Sequence, residues 1–110
     1  MEYSTCLENA VYIHLRQQGF DGIYYYKTAT GKEVDFAAQH INGNVELYQV
    51  CLDLSNEKTR KREISALIEA ASELDHREAW IITLDTKEII EMDKLTLYVI
   101  PYWEWSINQK

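Results

Sequence analysis

The chain is poor in the residues that mark several protein classes. Its two cysteines, Cys6 and Cys51, lie far apart and form no C-x-x-C pair. That is too few for a zinc site or a disulfide framework, so they read as reduced thiols in a cytoplasmic protein that takes no zinc. Only one proline interrupts the chain, and repeats and low-complexity tracts are missing, so it is no linker. No apolar run approaches the roughly 18 residues of a membrane span, and no membrane partner is expected. The opening Met1-Glu2-Tyr3-Ser4 lacks the basic and apolar regions of a signal peptide. No GxxxxGK[ST] run is present, so the chain is not itself a P-loop ATPase. Positive charge is scarce as well: 11 Lys and Arg against 18 Asp and Glu give a net charge of −7. Phosphate contacts supply most of the affinity of a nucleic-acid binder, so this chain suits DNA poorly unless its cations gather on one face.

What is present suffices for one α/β domain over residues 1–110, with 46% hydrophobic residues to build its core. Thr5 with Glu8 fits a capping box opening a first helix from Thr5 to Gln18, with Leu7, Val11, His14 and Leu15 along one stripe and Gly19 as the stop. His14 reads as a core histidine. Three strands are expected next: Gly22 to Thr28, Glu33 to Gln39 after the turn at Gly31, and Val45 to Leu52 after Asn42-Gly43-Asn44. Ser55 or Asn56 should cap a second helix ending near Leu74, with Ile64, Leu67, Ile68, Ala71 and Leu74 facing the core. The continuously apolar run from Glu78 to Leu84 suits a central or parallel strand, and Leu95 to Ile100 a final one. The segment from Asp85 to Met92 carries a weaker signal. A closing turn or short helix from Pro101 to Ile107 would bring Trp103 and Trp105 under the core.

Strand alternation then decides which side chains converge. Glu33, Asp35 and Ala37 should share one face of the second strand, with Val34 and Phe36 on the other. In the third strand Gln49 and Cys51 share a face, and Glu46 reads as a solvated acid on the opposite one. Asp35 is a carboxylate in a buried strand, and burial obliges it to find a partner, a hydrogen-bond network or a metal. Lys58, Arg60, Lys61 and Arg62 crowd the start of the second helix, where positive charge opposes the helix dipole. That placement points to a phosphate or an acidic partner, or to a solvated face beside Glu57 and Glu63.

The order helix–strand–strand–strand–helix–strand, together with Leu7-Glu8-Asn9-Ala10-Val11, Gly31-Lys32-Glu33-Val34-Asp35-Phe36, Tyr48-Gln49-Val50-Cys51, Thr59-Arg60-Lys61-Arg62-Glu63-Ile64 and Pro101-Tyr102-Trp103-Glu104-Trp105, resembles the PD-(D/E)XK, restriction-endonuclease-like nuclease fold. More narrowly, it resembles the nuclease-like domain at the C-terminus of certain archaeal and bacterial P-loop ATPases. The resemblance implies an αβββαβ core with a mixed central sheet flanked by helices. It also implies magnesium-dependent phosphodiester hydrolysis, in which carboxylates hold the metal and a lysine steadies the attacking water.

Carried onto this chain, Glu8 takes the helix acid and Asp35 the strand aspartate, the two residues that would hold magnesium. Gln49 takes the Asp/Glu position and Cys51 the lysine position. Glutamine is a weaker ligand than a carboxylate for a hard cation, and cysteine brings no charge. Losing one catalytic electrostatic group typically costs about 10²–10³ in rate. The expected function is therefore a degenerate nuclease-fold module with a binding or regulatory role beside a P-loop ATPase. The alternatives are an active magnesium-dependent DNA endonuclease, and an interaction domain that pairs with another protein or with its own copy.

Overall fold

The computed structural model describes residues 3–108 and orders them around one six-stranded sheet. The elements are α1 (Tyr3–Gln17), β1 (Gly22–Lys27), β2 (Glu33–Gln39), β3 (Val45–Val50), α2 (Glu57–Leu74), β4 (Glu78–Thr83), β5 (Glu88–Glu91), β6 (Thr96–Pro101) and α3 (Tyr102–Asn108). The strands lie in the order β1-β2-β3-β4-β6-β5. The first three form an antiparallel meander; β3, β4 and β6 run parallel, and β5 returns antiparallel on the edge. This is the restriction-endonuclease-like αβββαβ core, extended by β5, β6 and α3.

Local chemistry explains the turns. Gly31 and Gly43 sit at φ 91° and 95°, a region that side chains with a Cβ rarely occupy, and they reverse the chain between the strands of the meander. The Asn42 side chain accepts from Asn44 N at 2.9 Å, closing the second of these turns. Asn56 caps α2 by accepting from Thr59 N, and Asp75 ends it in the left-handed conformation at φ 59°. The β1–β2 turn is tied to α2 from a distance. Glu69 accepts from the Thr30 hydroxyl and amide, and Glu73 accepts from Tyr26 Oη and Ala29 N. The Thr30 and Thr28 hydroxyls hold the Glu69 carboxyl down to about 2.

Two cores sandwich the sheet. On one face α2 covers Val34, Ala37, Leu47, Ile81, Leu97 and Val99. On the other, α1 and α3 cover Ala38, Tyr48, Val50 and Ile82 through Leu7, Val11, Leu15 and Trp105. β4 lies centrally between parallel neighbours, as its apolar run requires. Across the α1 face, Tyr48, Trp80 and Tyr98 stand in register on adjacent strands and stack at 5.3 and 5.7 Å. His14 sits edge-on to Trp105 at 4.7 Å, and Gln18 Nε2 donates to its ring at 3.2 Å. Burial lowers its pKa, and these partners at the half-buried edge of the core engage the histidine on the apolar stripe of α1.

Four details depart from the sequence reading. α1 already contains Tyr3 and Ser4, so Thr5 lies inside the helix and cannot be its cap. Leu67 and Ala71 of α2 face the core, with Ile64 and Leu74 packed against it and Ala66 and Ala70 beside them, but Ile68 turns outward and is 43% exposed. Trp105 closes the core, but Trp103 is 60% exposed. Glu46 is no free surface acid, because His40 Nε2 and Tyr48 Oη bond its two oxygens at 2.7 and 2.5 Å.

The rotation of α2 can be tested by chemical denaturation. Leu67→Ala should cost about 2–5 kcal/mol, through lost burial and the cavity left behind. Ile68→Ala, one position on, should stay within about 0.5 kcal/mol, as exposed positions usually do.

Candidate functional site

The candidate residues meet where β2 and β3 part. The ladder between these strands runs from Gln39 opposite Val45 to Phe36 opposite Tyr48 and goes no further. Beyond it, side chains replace the backbone pairing. Gln49 Oε1 accepts from Asp35 N at 2.9 Å, and Gln49 Nε2 donates to the Glu33 carbonyl at 3.0 Å. In return Asp35 Oδ2 accepts from Val50 N at 2.8 Å. Each strand thus reaches across with one side chain to satisfy backbone groups of the other, and Gln49 does so while only 1% exposed. Its amide also lies 3.4 Å from the Glu63 carbonyl on α2.

A bulge aims Asp35. Tyr24 pairs with Ala37 and Tyr26 with Val34, so Asp35 and Phe36 together stand opposite the single residue Tyr25. The extra residue breaks the alternation expected for β2. Val34 packs with Ala37 beneath α2, while Phe36 packs on the α1 side with Ala38. Asp35 is left at the parting of the strands, between the two helices.

There it faces other carboxylates. Burial pushes Asp35 up to about 6, helped by the charges of Glu8 and Glu33 and opposed by the Val50 amide and Arg62. Burial likewise pushes Glu63 up to about 7, with Asp35 and Glu8 adding to the rise and Arg62 opposing it. Glu8 on α1, Asp35 on β2 and Glu63 on α2 therefore form one electrostatic neighbourhood. Glu63 escaped the sequence reading, which placed it on a solvated face. The available signal was its position two turns after the Asn56 cap, on the flank of α2 nearest Gln49.

Cys51 follows on β3, buried, with its thiol donating to the Asp53 carbonyl at 3.3 Å. Burial raises its pKa, so the position expected for a lysine holds a neutral group. The nearby cation is Arg62, whose charge acts on Asp35, Glu63 and Cys51 and whose Nε lies 3.5 Å from Glu63. The basic run at the start of α2 is divided. Arg60 forms a two-pronged pair with Glu88 of β5, at 3.1 and 2.5 Å, whereas Lys58 and Lys61 face outward. Among the described residues, no group of three or more His, Cys, Asp or Glu side chains is arranged to hold a metal ion. Nor, among those residues, is any helix long and apolar enough to cross a membrane.

This fold and this site can be set beside known proteins. Residues 3–105 match the family described as a domain of unknown function, DUF4143. The chain belongs to that family. It is 36% identical over 111 aligned positions to the uncharacterized protein MJ1544 of Methanocaldococcus jannaschii, an alignment that takes in 93% of this chain and 24% of that protein. It thus spans about a quarter of the length of that relative. Among solved structures, it resembles a chain in the refined half-complex of a tetradecameric assembly of Thermococcus gammatolerans McrB AAA+ hexamers with bound McrC. The TM-score is 0.56 at 11% identity, over 93% of this chain and 28% of that one. At that identity the likeness is one of fold.

Two measurements test this geometry. Gln49→Leu leaves Asp35 N–H and the Glu33 carbonyl without partners and should cost on the order of 3 kcal/mol in denaturant unfolding. Gln49→Glu should be no better tolerated, since it supplies no donor to Glu33 and adds a charge beside Asp35 and Glu63.

The pH dependence of stability should follow from the raised carboxyls. Asp35 and Glu63 hold protons to higher pH folded than unfolded, so the folded chain binds more protons between about pH 4 and 7. Stability should therefore be greatest at the bottom of that window and fall, by on the order of 3 kcal/mol, as pH rises through it. Glu63→Gln should flatten the fall. Glu69, held low, acts with the opposite sign and loses its contribution as pH drops below its unfolded value toward about 2.

Proposed function

We propose that this domain is a nuclease-fold module whose old catalytic centre has become a structural joint, and that it serves as a binding or regulatory partner of a P-loop ATPase in the cytoplasm. The observation that carries the proposal is the commitment of Gln49 and Asp35 to the backbone of the opposite strand. A metal ligand needs lone pairs free to point at the ion. The Gln49 carbonyl is spent on Asp35 N, one Asp35 oxygen is spent on Val50 N, and the thiol of Cys51 turns to Asp53. Magnesium wants several oxygen donors in a near-octahedral arrangement, and this donor set does not fit it. The ATPase partner is supported by two facts. The solved neighbour of the same fold comes from an assembly of AAA+ hexamers with a bound protein, and the family relative is about four times the length of the matched segment.

One observation favours an active metal-dependent endonuclease instead. Glu63 adds a third acid to Glu8 and Asp35, and their mutual repulsion is what a cation would relieve. That reading requires the three carboxylates to turn toward one another.

Titration calorimetry with magnesium and with manganese separates the two. The proposed module should give no binding heat, and neither should Glu63→Gln or Asp35→Asn. Binding heat in the parent chain that disappears in both variants, with folding verified by circular dichroism, would overturn the proposal and revive the nuclease. The ATPase partnership is checked separately, by whether the domain co-sediments with a P-loop ATPase module of its own family.

A further inference from the structure

The outward face of α2 has a charge order that fits a second copy of itself. Lys58, Lys61, Ser65, Ile68, Ser72 and Asp75 recur at alternating intervals of three and four residues, the spacing of one straight seam along a helix. Ser65 is half-buried and the other five are exposed. Half-buried Ile64 flanks the seam beside Ser65. The seam carries Lys58 and Lys61 at its N-terminal end, Ile68 between two serines in the middle and Asp75 at its C-terminal end. Shallow grooves run along it on both sides of Ile68, one reaching Glu57 and Ile64, the other reaching Met92 and Leu95 of the β5–β6 hairpin.

We propose that this seam is a homodimer interface in which two α2 helices pack antiparallel about a twofold axis. A twofold axis through the centre of the seam sets Lys58 against Asp75 of the second copy, Lys61 against Ser72, and Ser65 against Ile68. Glu57 then comes opposite His76 and Arg77 of the second copy. Ile64 and Ile68 from both copies form a central apolar cluster, with opposite charges at each end. That is the anatomy of a self-complementary interface, an apolar middle and a charged rim. Antiparallel packing also opposes the two helix dipoles favourably and brings an acid to Lys58, whose charge otherwise works against the dipole of its own helix. A nucleic acid would answer the lysines but not the isoleucines or Asp75. The inference does not depend on the fate of the catalytic centre, which lies beneath α2 and not on this seam.

Sedimentation equilibrium over a wide concentration range tests it. The parent chain should associate to a dimer, and Ile68→Asp should be monomeric with an unchanged circular dichroism spectrum. Lys58→Asp and Asp75→Lys, each alone, place like charges at both ends of the interface and should weaken dimerisation at least tenfold. Mixed in equal amounts, these two variants should associate with each other, because a mixed pair restores an opposite charge at both ends. A parent chain that stays monomeric throughout, a dimer indifferent to Ile68→Asp, or variants that fail to rescue one another would each overturn the proposal.

Discussion

The crossed pair of side chains at the parting of β2 and β3 is the constraint on which the site depends. Two strands that separate inside a protein leave amides and carbonyls that water cannot reach, and each unpaired group is costly. Here Gln49 and Asp35 supply the missing partners. An acid at position 49 could accept from Asp35 N but could not donate to the Glu33 carbonyl. A lysine at position 51 would bring a cation into the core that α2 builds over Leu47 and Leu54. Gln49 and Cys51 are therefore consistent with one another: both suit a joint that is neutral and closed.

Much of this architecture was legible in the sequence, for definite reasons. The turns carried glycine and asparagine where the chain reverses, β4 had the unbroken apolar run of a strand covered on both faces, and α2 began at a side chain able to cap it. The candidate positions Glu8, Asp35, Gln49 and Cys51 came from a family likeness, and three of them, Asp35, Gln49 and Cys51, meet at or beside the parting of the strands. What the pattern could not reveal were features decided by tertiary geometry. A bulge does not announce itself in a sequence of alternating residues, so the facing of Val34 and Phe36 was misread. Ile68 satisfied the helical period as well as Ala70 did. Only the way α2 rests on the sheet puts Ala70 inside and Ile68 outside. Glu63 looked like one member of a charged run, because nothing local marks the flank of a helix that will lie beside a strand 14 residues earlier.

α2 is the element that joins these observations. Its inner face closes one core, Glu69 and Glu73 hold the β1–β2 turn, Arg60 holds the edge strand β5, and Glu63 with Arg62 completes the electrostatics around Asp35. Nearly every polar residue on the two flanks of the helix is thus engaged within the fold. A chain of net charge −7 uses its few cations sparingly, and two of the four at the start of α2, Arg60 and Arg62, pair with acids of the same domain. Lys58 and Lys61 are the two that remain on the outward seam. A centre whose donors are committed to backbone groups has little capacity left for chemistry on a bound molecule, whereas an outward seam with ordered charge retains all of its capacity for recognition. On the proposed reading, recognition lies on the surface of the helix that covers the cleft and not in the cleft between the strands.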